Sequence, residues 1–111
     1  MLNVRTEHHG DLLILLPEGR LDTATAPAFD QSVQTHTNAG TRLLIDLTQV
    51  HYVSSAGLRV FLMTAKKLQK SGGSLVICGM SPAVREVFDI AGFSRMLRIE
   101  ADQTAGIAAL Q

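Results

Sequence analysis

Leu43-Leu44-Ile45 is a short continuous apolar run, and Leu58, Phe61, Leu62, Ala65 and Leu68 follow it at the spacing of one helix face. The first segment predicts a buried strand and the second an amphipathic helix. A strand that runs into a helix crosses over and returns beside itself, so this unit commits the chain to an α/β architecture. Between the two lies Asp46 to Arg59, with Ser54-Ser55-Ala56-Gly57 at its centre. A strand ends there, a loop crosses, and a helix begins at Ser55 or Ala56 with hydroxyls in its first turn. Helix N-termini leave backbone N–H groups unpaired and carry partial positive charge, which favours a hydroxyl cap or an anionic phosphate. One arrangement therefore suits the same serine free or phosphorylated.

The rest of the chain repeats the alternation. Leu2–Glu7 and Leu12–Pro17 are expected as a hairpin joined by His8-His9-Gly10-Asp11. The two histidines read as solvated turn residues, since neighbouring strand positions face opposite ways and do not chelate one ion. Thr23 to Pro27 supplies a hydroxyl cap and a first-turn proline for a helix running from about Ala26 to Asn38, ended by Gly40. Two readings stand for Asp22: it braces that turn, or it lines the same strand-end surface as Ser55. Arg42–Leu47 and Leu75–Cys78 are further strands. The helix between them ends near Lys70, with Lys66, Lys67, Gln69 and Lys70 on its outer side; they read as a docking surface or, the preferred reading, as a solvated face that suits the helix C-terminus. Ser81-Pro82 starts a third helix, with Val84, Val87, Phe88 and Ala91 as its inward stripe and Gly92 as its stop. Met96–Ile99 is expected as a short last strand, and Asp102–Leu110 as a closing Ala-rich helix.

Composition narrows the functional classes. A chain of 111 residues, 46% hydrophobic and 18% charged, is expected to be one domain, residues 1–111, around a single modest core. Ten basic and ten acidic residues balance to zero formal charge, which argues against direct binding of nucleic acid. The longest apolar run, Leu12–Leu16, is too short for a membrane span, and Met1 to Arg5 lacks the plan of a signal peptide. The lone Cys78 reads as a small core residue in a reducing compartment, so the cytoplasm is the expected location. The dinucleotide and P-loop glycine patterns and the Gly-x-Ser-x-Gly elbow do not occur, and the four histidines fall outside metal-pair spacing. A Ser55–His51 dyad lacks a third partner and oxyanion donors. No catalytic residues, metal or cofactor are expected.

Gly19-Arg20-Leu21-Asp22, the run Leu44-Ile45-Asp46-Leu47 with Val50, Tyr52 and Ser54-Ser55-Ala56-Gly57-Leu58, and then Val84 to Phe88 and Ala91-Gly92-Phe93 together resemble the STAS family. That domain is shared by bacterial anti-sigma factor antagonists and anion-transporter tails, and the similarity covers nearly the whole chain. Strands alternating with helices after a first hairpin predict a mixed, mostly parallel sheet of four to five strands with about four helices, and the resemblance implies that the helices lie largely on one face, in a β-α superhelix. It also implies a partner-switching regulator. Its partners would be an anti-sigma factor that is a serine kinase of the histidine-kinase-like ATPase superfamily, and a PP2C-type phosphatase. The commonest family pattern, Asp-Ser-Ser-Gly, carries the phosphate on the serine before glycine, and Ala56 stands at that position here. Two readings follow: the acceptor is Ser55, with Ser54 as alternate, or phosphoregulation is lost. The first is preferred, with Arg59 four residues on as a partner for the phosphate. The docking surface is then expected to comprise Asp22, Thr23, Ser54, Ser55, Ala56, Gly57, Leu58 and Arg59. The rival is a constitutive STAS scaffold, for example in a lipid-transport complex.

Overall fold

The structure is a computed structural model and describes residues 2–111. Strands β1 (Asn3–His9) and β2 (Leu12–Leu21) pair antiparallel through a turn at Gly10–Asp11, where Gly10 has φ 61°. His8 and His9 are therefore strand residues, opposite Leu13 and Leu12, rather than part of the connection. A glycine in the left-handed region closes a hairpin in two residues, leaving the histidines to the ladder.

The long strand β2 is the hub of the sheet. Its first half pairs in parallel with β3 (Arg42–Asp46), and its second half pairs in parallel with β4 (Val50–Val53). Strand β5 (Ser74–Cys78) lies beside β3, and β6 (Arg98–Glu100) beside β5, giving the order β1-β2-β3-β5-β6 with β4 attached to β2. Among the described residues the sheet thus has six strands, where four to five were expected. The additional strand is β4, which lies inside the stretch expected as a loop. Its end residues are buried and its middle pair exposed, so it lacks the alternation that marks a half-buried strand.

Among the described residues four helices complete the fold: α1 (Ala26–His36), α2 (Ser55–Lys70), α3 (Pro82–Ile90) and α4 (Gln103–Leu110). The first three cover one face of the sheet. Phe29, Phe61 and Phe88, one from each, form a tilted aromatic row with ring centroids 5.4 and 5.5 Å apart. Each ring is fully buried, and a buried phenylalanine contributes about 1.5–3 kcal/mol. On the opposite face α4 lays Ile107 and Leu110 over Leu12, Ile14, Leu44 and Val76. Leu13 and Leu15 point into the first core while Leu12, Ile14 and Leu16 point into the second, which is why this strand is apolar without interruption.

Three further boundaries differ from expectation, the first being β2, which runs past Pro17 to Leu21 because its second half pairs with β4. Helix α1 stops at His36, because Thr37 takes an extended conformation and Asn38 to Thr41 close on themselves as a turn. Gly40, at φ 80°, serves that turn instead of capping the helix. The last strand starts at Arg98 because a 3₁₀ turn over Phe93–Arg95 occupies the preceding residues, with the Phe93 carbonyl accepting from Met96 and Leu97.

Candidate functional site

Strands β2 and β4 end side by side, Leu21 opposite Val53. Immediately beyond them the Ser54 N–H donates to the Leu21 carbonyl at 2.7 Å, which ties the start of α2 to the start of the β2–α1 loop. Asp22 and Ser55 therefore belong to one strand-end surface, as the second reading of Asp22 expects. The first reading holds as well. The Asp22 carboxylate accepts from the backbone N–H groups of Ala24 and Thr25, both at 3.0 Å. Those bonds, the Thr25 amide foremost, hold its carboxyl below the usual carboxylate range, with the Arg20 guanidinium adding to the effect.

The hydroxyl expected to cap α1 does something else. Thr25 occupies the cap position, but its hydroxyl donates back to the Arg20 carbonyl at 2.7 Å and accepts from the Asp22 N–H at 2.9 Å. It stitches the loop to the strand, not to the helix. Thr23 is exposed at the loop's crest.

The two serines differ in surroundings. Ser54 is the N-cap of α2, half-buried, with its Oγ accepting from the Gly57 N–H at 3.4 Å. Ser55 is the first helical residue and is exposed. Ala56 is partly exposed beside it, and Arg59, one turn further on, is exposed with no carboxylate within 4 Å among the described residues. Gly57 and Leu58 require a correction. Both were expected on the docking surface, yet Leu58 is only 3% exposed within the main core and Gly57 is buried beneath the loop. A Cβ on Gly57 would lie 3.0 Å from the Leu21 carbonyl oxygen and 3.2 Å from Val53 Cγ1, so a hydrogen at this position lets α2 approach the strand ends. These two residues support the surface from below. The exposed or partly exposed part is Asp22, Thr23, Ser54, Ser55, Ala56 and Arg59.

Two neighbours escaped the sequence reading. The Arg20 guanidinium stacks 4.3 Å over the Tyr52 ring and sits 3.7 Å from the Asp22 carboxylate. No spacing rule links residues so far apart in the chain; the β2–β4 pairing puts Arg20 opposite Tyr52. Cys78 is fully buried, and burial, with the carboxylates of Asp46 and Asp102, pushes its thiol up to about 12. It is a core residue.

The architecture defines a class of small α/β domains that present a strand-end loop and a helix N-terminus on one face. The STAS domain model matches residues 3–105, and the chain belongs to the STAS domain family, among its anti-sigma factor antagonists. BtrV of Bordetella bronchiseptica, which bears an anti-sigma factor antagonist name, is 37% identical over 101 residues, covering 90% of this chain and 87% of its own. The anti-sigma-B factor antagonist of Listeria monocytogenes is 33% identical over 95 residues, covering 85% and 83%. In fold, the crystal structure of an anti-sigma factor antagonist from Mycobacterium paratuberculosis superposes with a TM-score of 0.90 at 24% identity, covering 99% of this chain and 94% of that one.

Proposed function

We propose that the chain is a partner-switching regulator that binds a kinase-type anti-sigma factor through the Ser55 face and releases it when Ser55 is phosphorylated. The observation that carries this reading is the division of labour between the serines: Ser54 is engaged as the cap, whereas Ser55 stands exposed at the first position of α2. An exposed hydroxyl is accessible to a kinase and to a phosphatase of the PP2C type. A phosphate there meets the positive end of the helix dipole and has Arg59 on the same helical side, so the domain tolerates it without refolding.

The partner does not tolerate it equally well. Phosphorylation adds about 1.5–2 negative charges. Covering such a charge at an interface without a matched cation costs several kcal/mol, and each 1.4 kcal/mol is about tenfold in affinity. Release then follows from desolvation and repulsion at a preformed surface. In this reading the protein acts by binding, in the cytoplasm, without catalysis of its own.

Calorimetric titration of the cognate anti-sigma factor tests it. Ser55→Ala is expected to bind like wild type, and Ser55→Glu about tenfold more weakly or worse. Equal affinities would overturn the switch. One observation favours a constitutive scaffold instead: Ala56, directly before Gly57, carries no hydroxyl at all. Incubation with the kinase and ATP, followed by mass-spectrometric mapping, separates the two, since a scaffold stays unmodified at both Ser54 and Ser55.

A further inference from the structure

Helices α1 and α2 border a groove of about 780 Å³ lined from Thr23 and Ala56 to Thr37 and Lys70. Its floor is apolar, formed by Val33, Val60 and Leu68, and Met63 stands on its lip at 60% exposure. Its two walls differ in charge. Arg59, Lys66, Lys67 and Lys70 line the α2 side, and Asp30 on α1 is the one acidic residue among the described residues that lines the groove.

These four cations have no carboxylate within 4 Å among the described residues. Of the ten lysines and arginines, Arg5, Arg20, Arg42, Arg85 and Arg98 each lie within 4 Å of a carboxylate. Five remain without such a partner among the described residues, and four of the five line this single groove. Helix electrostatics accounts for only part of this. Lys67 and Lys70 sit in the last turn of α2, where cations are favoured, but Arg59 and Lys66 do not. A chain with no net charge has gathered four of these five unpaired cations along one channel with an apolar floor.

We propose that this groove takes an acidic, amphipathic helical segment of a protein partner, its apolar stripe on Val60 and Met63 and its carboxylates against the α2 cations. The dimensions suit such an occupant. The eleven-residue α1 is about 16 Å long, the reach of three helical turns, and a concave apolar floor with one basic wall fits a helix laid in a groove. The groove opens beside Ser55, so a partner seated on that face can extend a segment along it. The charge asymmetry itself stands apart from any phosphoswitch.

The test uses a fluorescein-labelled peptide of fourteen residues with leucine at helical spacing and glutamate elsewhere, and a counterpart with lysine for glutamate. The acidic peptide is expected to bind, to shift the amide resonances of Gln34, Val60 and Met63, and to weaken as salt rises. The triple variant Lys66→Glu, Lys67→Glu, Lys70→Glu is expected to lose about tenfold or more, and the neutral Lys67→Gln a smaller part of that. Equal binding of the lysine peptide, shifts confined elsewhere, or an unchanged triple variant would overturn the proposal. So would preference for phosphatidylserine vesicles or a single-stranded oligonucleotide over the acidic peptide. No anti-sigma factor enters this experiment, so its failure and failure of the Ser55 switch are told apart.

Discussion

The hydroxyl of Ser54 is committed to the first turn of α2, and the hydrogen of Gly57 is what lets that turn sit against Leu21 and Val53. Gly57 is a position where two rules disagree on sign. Alanine is the better helix former by up to about 1 kcal/mol, so propensity alone predicts that Gly57→Ala stabilises. The added methyl, however, would lie 3.0 Å from the Leu21 carbonyl oxygen and 3.1 Å from its Cβ. Neither atom gives way easily: Leu21 is paired to Val53 in the ladder, and its carbonyl already accepts the Ser54 N–H. Overpacking of this kind costs about 1–3 kcal/mol. Gly57→Ala is therefore expected to lower the denaturant midpoint with an unchanged slope; an equal or higher midpoint would show that propensity wins.

The loops, more than the helices, decide what the site looks like. In the β2–α1 loop Asp22 accepts two backbone N–H groups, and its lowered pKa follows from them. Its contribution to loop order is complete above the unfolded value near 3.8 and is lost as pH falls through the lowered folded value. A carboxyl NMR titration of Asp22 is expected to give a midpoint under 3.8, with the amide shifts of Ala24 and Thr25 moving in step. A midpoint at or above that value, or amides that ignore it, would remove the brace. At this scale the sequence was legible where an element is long and periodic. The stripe from Leu58 to Leu68 and the Ser81-Pro82 start both lie where spacing and cap chemistry put them. It was not legible at β4, a four-residue strand attached through a register shift between Gly19 and Arg20, since pairing with a distant bulged strand leaves no local period. The same pairing assembles Arg20, Asp22 and Tyr52, which is why sequence reading found Asp22 and missed the other two.

The sheet separates two cores of unequal cover: among the described residues three helices lie on one face and α4 alone on the other. The Ala-rich α4 has a weak apolar stripe because it works by close approach. A Cβ on Gly106 would come 2.6 Å from Leu44 Cδ1. One cap orders its start and two polar ties hold it down. Asp102 caps its first turn, the Gln103 side chain donates to the buried Asp46 carboxylate at 2.9 Å, and the Arg42 guanidinium donates to the Leu110 carbonyl at 2.8 Å. Cys78 lies in the core beneath, so its thiol reports whether α4 is seated. With the thiol pushed up to about 12, only on the order of one molecule in ten thousand carries thiolate at pH 8, and burial blocks even that fraction. Modification by a disulfide reagent should thus require α4 to lift. Gly106→Val forces the helix off Leu44 at a cost of about 1–3 kcal/mol, which multiplies the lifted population about 5- to 150-fold. If α4 opens as a unit of its own, Cys78 modification in Gly106→Val accelerates by that factor under native conditions, while hydrogen exchange in α2 and β3 stays slow. Modification that rises only in proportion to exchange in α2 and β3 would mean the two cores unfold together, and that the single helix is as firmly held as the three opposite it.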